Sequence, residues 1–211
     1  MTDIPGRIFV VSSPSGAGKS TLCRRVLAMR PELVFSVSFT TRSMRPGERD
    51  GREYRFVDDS RFDGMIARDE FIEWASVHGR RYGTSAAETE RLLAAGRSVI
   101  FDVDVQGARN IRRRFAESVL IFIYPPSPSE LARRLRGRKT DQEAEISRRL
   151  AAAIEEIRES RSYDFAVVND NLDRAVTALL DIVDGRTENA VRPQAYMKEI
   201  ENEFGMKHES I

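Results

Sequence analysis

The stretch Ser12-Ser13-Pro14-Ser15-Gly16-Ala17-Gly18-Lys19-Ser20-Thr21 limits what this chain can fold into more than any other. It follows an apolar run, Ile8-Phe9-Val10-Val11, and precedes Leu22, Val26 and Met29 at helical spacing. A buried strand, a glycine-rich turn and a helix in that order frame a phosphate-binding loop. Gly16 and Gly18 let the backbone wrap closely around a polyphosphate with its N–H groups turned inward. The helix opening near Ser20 adds its positive end. Lys19 is placed to reach the outer phosphates, and the Ser20 hydroxyl to hold a bridging magnesium ion. The usual pattern opens on glycine where this chain has Ser13, so a positive φ there would strain the turn.

At 211 residues the chain can build one good core, or a core with a small inserted module. A net charge of +1 argues against a dedicated nucleic-acid binder. The single cysteine, Cys23, cannot form an internal disulfide and suits a reducing compartment, where a small apolar side chain on the first helix simply packs. Residues Met1 to Arg7 lack the pattern of a secretory signal, and no apolar stretch approaches the roughly 18 residues of a membrane span. A cytoplasmic protein with no membrane partner is expected.

The run of residues outlines α/β architecture. Ser98 to Val103 and Val119 to Tyr124 are continuous apolar runs, as expected of parallel strands covered on both faces. Phe165 to Val168 is a further strand, and helices are expected at Ser85 to Ala95, Val105 to Phe115, from Ser129 to about Lys139, Gln142 to Ser160 and Leu172 to Val183. Between them the texture changes. Leu33 to Thr41 has the composition of one strand, Arg42 to Gly51 is charged and turn-forming, and Glu53 to Val57 is a short strand. Ser60 is the expected cap of a helix running to Arg68, and Phe71 to Val77 and Arg80 to Thr84 form a hairpin about His78-Gly79. Short strands and tight turns lodged between α/β units suggest an inserted, mainly antiparallel module. In the polar tail, Tyr196, Ile200 and Phe204 keep helical spacing.

A phosphate loop does not say what is phosphorylated. The inserted segment does, through Ser36-Val37-Ser38-Phe39-Thr40-Thr41-Arg42, Arg45, Gly47-Glu48, Tyr54, Glu73 in Phe71-Ile72-Glu73-Trp74, and Tyr82-Gly83-Thr84. With Phe101-Asp102-Val103-Asp104-Val105-Gln106-Gly107 and Val168-Asn169-Asp170, this ordered series closely resembles the guanylate kinase family from about Ile8 to Asp184. The resemblance implies a three-layer P-loop core with a mainly parallel sheet, a small antiparallel β-rich GMP-binding module and a helical lid. The implied division is core at 1–37, 97–132 and 150–186, module at 38–96, lid at 133–149 and a tail, helical in expectation, at 187–211.

The implied reaction moves the γ-phosphoryl group of ATP to GMP, with Mg2+ as cofactor. Carried over position by position, Ser38, Arg42, Arg45, Tyr54 and Tyr82 bind the GMP phosphate, while Glu73 and Thr84 read guanine, with Gly83 between Tyr82 and Thr84 also at the GMP site. Asp102 lies close, shared between GMP and the metal held by Ser20. Ser13, Pro14, Ser15, Gly16, Ala17, Gly18, Lys19, Ser20 and Thr21 embrace the ATP phosphates, and Asn169 touches the adenine. The catalytic cations are Lys19, Arg42 and three lid arginines, Arg134, Arg138 and Arg149, whereas Arg133, Arg136 and Arg148 belong to a solvated helix face. Gly137 is the expected joint of the lid.

Guanine offers N1–H and N2–H donors that one carboxylate can accept as a pair, and an O6 that accepts a hydroxyl proton. Glu73 and Thr84 supply that complement, and adenine would leave the carboxylate unpaired. The acceptor is a phosphate monoester whose second pKa is about 6, so its attacking oxygen is already largely deprotonated at neutral pH. No general base is required, and His78 and His208, the two histidines, stand outside these motifs. Three rival functions remain open at this level: a related P-loop kinase acting on a sugar phosphate, a domain without catalysis that binds phosphopeptides, and a P-loop hydrolase. The oligomeric state is not encoded in any motif, and a homodimer is compatible with the sequence.

Overall fold

The computed structural model describes residues 6–52, 54–77, 79–137 and 143–196. In chain order the elements are β1 (Ile8–Ser12), α1 (Lys19–Met29), β2 (Leu33–Phe35), β3 (Phe39–Thr40), β4 (Arg55–Phe56), α2 (Asp59–Ala67), β5 (Phe71–Val77) and β6 (Arg80–Ser85). They continue with α3 (Ala86–Ala94), β7 (Ser98–Asp102), α4 (Val105–Arg114), β8 (Val119–Tyr124), α5 (Pro128–Arg136), α6 (Glu143–Glu159), β9 (Phe165–Val168) and α7 (Leu172–Val183).

Every residue of β1 is buried, because its two sides enter two different cores. Ile8 and Val10 join Phe101, Phe122, Ile111 of α4 and Ile157 of α6. Phe9 and Val11 join Ile100, Ile121, Leu22 and Val26 of α1, and Leu179 of α7. The alternation of strand side chains therefore explains the uninterrupted apolar runs, since each strand has helices on both faces. The sheet is parallel throughout, in the order β2-β7-β1-β8-β9. The expected α/β core is what the chain builds. Cys23 packs in the second core, where burial pushes its thiol up to about 12, so it stays a protonated apolar filler.

The second sheet runs β4-β3-β6-β5, with β6 antiparallel to both neighbours and β3 parallel to β4. Its own small core holds Phe39, Phe62, Met65 and Phe71. Two local expectations need correction. Leu33 to Thr41 is not one strand: β2 belongs to the large sheet and β3 to the small one, and the Ser36 N–H still bonds to Ile100 O at 2.9 Å. Asp58, not Ser60, caps α2, accepting the Arg61 N–H at 2.7 Å. Ser127 caps α5, accepting the Glu130 N–H, with Pro128 in the first turn, where its missing N–H costs nothing. Gly137 has ordinary helical dihedrals, so its conformation here does not demand glycine. Glu53, His78, Arg138, Ile200, Phe204 and His208 lie outside the described residues.

Beyond α7 the chain returns to the sheet. The Ala166 N–H donates to Val191 O at 2.8 Å, covering part of the outer edge of β9, and the Tyr196 ring packs edge-on against Tyr124. Among the described residues, no helix is long and apolar enough to cross a membrane.

Candidate active site

The phosphate loop leaves the buried end of β1 and turns through Gly16 (φ 93°) and Gly18 (φ 94°). Among the described residues only Asp69 has a positive φ without being glycine, so Ser13 replaces the usual glycine with no left-handed strain. Its hydroxyl donates to Pro14 O at 3.1 Å. Gly18 begins α1 with no side-chain cap, which leaves the leading N–H groups of the helix available to an anion. The loop encloses a cavity of about 370 Å3 that Asp104 and Glu156 complete. Asp104 also caps α4, accepting the Gly107 N–H at 2.7 Å.

Asp102 ends β7 level with Val11 of β1, at the carboxyl edge of the parallel sheet. Lys19 Nζ lies 2.7 Å from Asp102 Oδ1 and donates to Val103 O at 2.7 Å. Ser20 Oγ donates to Asp102 Oδ2 at 3.0 Å. The lysine, the hydroxyl and the carboxylate expected to serve the phosphates and the metal are thus in mutual contact.

Asp102 also lines a cleft of about 790 Å3 that separates α1 from the small sheet, bounded on the far side by Ser38, Glu48 and Tyr54. Behind Ser38 stand Glu73 and Thr84. Glu73 of β5 is in register with Thr84 of β6, and Thr84 Oγ1 donates to Glu73 Oε1 at 2.7 Å. Ser38 Oγ lies 3.4 Å from Thr84 Oγ1 and connects the pair to the cleft. Burial pushes the Glu73 carboxyl above the usual range; the Thr84 hydrogen bond opposes this and the charge of Asp104 adds to it. Gly83 is a packing requirement: a Cβ there would come within 2.8 Å of the Phe71 ring.

Arg42 lies over aromatic neighbours, its guanidinium carbon 5.2 Å from the Tyr54 ring centroid and 5.7 Å from that of Phe56. Tyr54 and Tyr82 meet edge to face at 5.7 Å. Both terminal nitrogens of Arg42 are held by Glu48, at 3.0 and 2.7 Å. The Arg45 backbone N–H donates to the same carboxylate at 2.7 Å, while its side chain is exposed.

On the other side of the loop, α5 and α6 close over their own apolar contacts, Leu131, Leu135, Ile146 and Ala153. Arg134 reaches back from α5 to donate to Ala17 O at 3.3 Å and Asn169 O at 3.0 Å. The buried Asn169 amide donates to Ala17 O at 2.7 Å. Arg134, expected among the catalytic lid arginines, and Asn169, expected at the adenine, therefore brace the loop itself. Arg149 Nε pairs with Glu145 at 3.2 Å. Arg133 and Arg148, with side chains 74% and 69% exposed, lie on the solvated face as expected.

Two carboxylates escaped sequence reasoning as functional groups. Glu48 is one. The other, Glu156, stands two helical turns beyond Arg149 on α6, a spacing that would have put it on the arginine's face. Burial raises its carboxyl to about 7, with Lys19 opposing and Asp104 and Glu159 adding to the rise.

A family model described as Guanylate kinase matches residues 5–186. The guanylate kinase of Geobacter sulfurreducens is 53% identical over 178 residues, covering 84% of this chain and 88% of that one. That of Dechloromonas aromatica is 49% identical over the same length. The crystal structure of guanylate kinase from Anaplasma phagocytophilum superposes with a TM-score of 0.69 at 31% identity, covering 96% of this chain and 97% of that one. The chain belongs to the guanylate kinase family.

Ser13, which departs from the usual phosphate-loop pattern, is absorbed by the backbone without strain. The coverage of the solved guanylate kinase includes the second sheet as well as the core, so the insertion between β2 and β7 is part of the shared architecture.

Proposed function

We propose that this chain transfers the γ-phosphoryl group of ATP to GMP, giving ADP and GDP. The observation that carries this reading is the Glu73–Thr84 pair, in cross-strand register and joined at 2.7 Å beside a cleft whose opposite wall is the Asp102 edge of the phosphate loop. A buried carboxylate with one hydroxyl beside it, whose proton turns from Glu73 to the base oxygen on binding, suits a base edge that donates twice and accepts once, which is guanine and not adenine. Arg42, Arg45, Tyr54, Tyr82 and Ser38 take the GMP phosphate. Gly83 sets the strand spacing that keeps Thr84 opposite Glu73.

On the donor side the loop from Ser13 to Thr21 receives the triphosphate, and Lys19 exchanges Asp102 for its outer oxygens. Ser20 and Asp102 present adjoining hard oxygen donors at the loop mouth, 3.0 Å apart, so these residues suit Mg2+. Mg2+ would supply charge neutralisation across the β- and γ-phosphates. Arg134, Arg138 and Arg149 are assigned to the charge that develops on the transferred group, and Asn169 to the adenine side as well as to the loop. The acceptor oxygen needs no base, so the work of the chain is alignment and charge compensation. We assign these tasks to three units, a core at 1–37, 97–132 and 150–186, a module at 38–96 and a lid at 133–149, with 187–211 as a tail.

Coupled ADP release with GMP, dGMP, IMP and AMP tests the reading. GMP should be the strong acceptor and AMP should fail by roughly 10⁴-fold. Glu73→Gln, which turns a donor toward the guanine donors, should lower turnover with GMP by about 10²-fold or more while ATP affinity by calorimetry holds. A Glu73→Gln enzyme working at the parental rate would overturn the assignment. Equal ADP release without any acceptor would favour a hydrolase.

A further inference from the structure

Glu48 has no role in the reaction as described so far, yet its carboxylate is the most fully bonded group of the acceptor side. The segment Arg45-Pro46-Gly47-Glu48 is a tight turn: Pro46 occupies the second position, Gly47 the third with φ 88°, and the Glu48 N–H closes on Arg45 O at 3.1 Å. That is the sequence order of a type II turn, in which only glycine takes the third position freely. The turn sends the Glu48 side chain back over its own beginning. One oxygen accepts from the Arg45 N–H at 2.7 Å and from Arg42 Nη1 at 3.0 Å, and the other from Arg42 Nη2 at 2.7 Å. These bonds, those from Arg42 first, lower the Glu48 carboxyl from the usual carboxylate range, so it is ionised near neutral pH.

Such a carboxylate could be a rival of the substrate phosphate or a support for it. The guanidinium geometry decides. A guanidinium has an end edge, made by the two terminal nitrogens, and a side edge, made by Nε–H and the outer N–H of Nη2, and each can hold an oxyanion by two parallel bonds. Glu48 occupies the end edge of Arg42, and the second Nη1 hydrogen goes to Ser43 O at 2.8 Å. The side edge is used by neither. With Tyr54 and Phe56 against the guanidinium and the Tyr82 hydroxyl beside it, that edge is fixed in direction.

We propose that Glu48 is the positioning residue of the acceptor clamp. It holds Arg42 by its end edge, so that the side edge is presented to the phosphate of the incoming nucleotide, and ties the Arg45 turn to the same point. The inference rests on the reading of Arg42 as a phosphate ligand. It predicts that removing a negative charge from a site for an anion weakens anion binding.

Calorimetry on the full chain with GMP and with guanosine, which shares the base and lacks the phosphate, tests this. Wild type should bind both. Glu48→Gln should bind GMP about tenfold or more weakly, because a two-bond ion pair becomes a single bond to an uncharged amide oxygen, with guanosine and ATP within twofold of wild type. Glu48→Asp, which keeps the charge on a shorter arm, should recover part of the GMP affinity. In steady state the GMP KM should rise more than kcat falls. Unchanged or tighter GMP binding by Glu48→Gln would make the carboxylate a bystander or a competitor and overturn the proposal. A parallel loss for guanosine would reduce it to a general support of the small sheet and overturn it equally. Arg42→Ala separates the two layers: if it leaves GMP binding intact, the phosphate-ligand reading fails, whereas a large loss in Arg42→Ala with none in Glu48→Gln defeats only the role given to Glu48.

Discussion

Gly18 and Asn169 cannot be changed independently of each other. A Cβ at position 18 would lie 2.3 Å from Asn169 Nδ2, and the backbone there is left-handed at φ 94°. Gly18→Ala should therefore meet two penalties, a clash and a dihedral strain of about 1–2 kcal/mol. Asn169→Ala should lose the bond to Ala17 O, about 1–2 kcal/mol of stability, and loosen ATP binding. The double variant relieves the clash but not the strain, so its loss of ATP affinity and melting temperature should be smaller than the sum of the single effects. Strict additivity would show that the amide is not what crowds Gly18. Glu73 makes a separate prediction. Burial raises its carboxyl, whereas guanine needs it ionised, so guanosine binding should weaken as pH falls through that raised value and should do so above the usual carboxylate range. Guanosine is the right probe because the phosphate of GMP titrates near 6 itself.

At the scale of elements, α6 carries the clearest pH signature. Glu156 reaches the loop cavity with its carboxyl raised from 4.5 to about 7, chiefly by burial. A carboxyl raised in the folded state favours folding while protonated, so its contribution is complete below about 4.5 and is lost as pH rises through about 7. Melting curves across that window should show wild type losing about 1–2 kcal/mol relative to Glu156→Gln, once partial exposure is discounted. Parallel curves would count against it. The same helix shows where sequence stops being informative. The strands β8 and β9 and the helix α7 were legible to the residue, because unbroken apolar runs and an Asn171 cap are local signals. The split of Leu33 to Thr41 was not, because both halves favour strands and only their pairing with different sheets separates them. The order of Lys19, Arg42, Glu73, Thr84 and Asp102 was legible as a family pattern. The brace of Ala17 by Arg134 and Asn169, the fork of Glu48 and the facing of Glu156 were not, since each depends on which segments approach in space.

Four separate apolar clusters bear on how the whole molecule moves. The small sheet packs on Phe39, Phe62, Met65 and Phe71, and α5 with α6 on Leu131, Leu135, Ile146 and Ala153, apart from the two cores of the large sheet. A unit with its own core can shift as a body without opening apolar surface. The attachment of the small sheet is one-sided, however: Ile72 of β5 and Ala86 of α3 are rooted in a core of the large sheet, whereas the Arg42 turn hangs from the short link between β2 and β3. Closure over an acceptor should therefore swing the Arg42 side toward α1, with the β5 side as pivot, and narrow the cleft of about 790 Å3. Bound anions drive it, because Arg42, bonded to Glu48 of one wall, and Lys19, bonded to Asp102 of the other, both gain charge compensation when nucleotide fills the cleft. Small-angle scattering should record a lower radius of gyration with GMP, and a further fall with GMP and ADP together, toward the roughly 17 Å of a compact chain this long. Guanosine, which reaches Glu73 but offers Arg42 no charge, should produce less of the first step. If guanosine compacts the molecule as much as GMP does, base recognition and not phosphate capture closes the cleft.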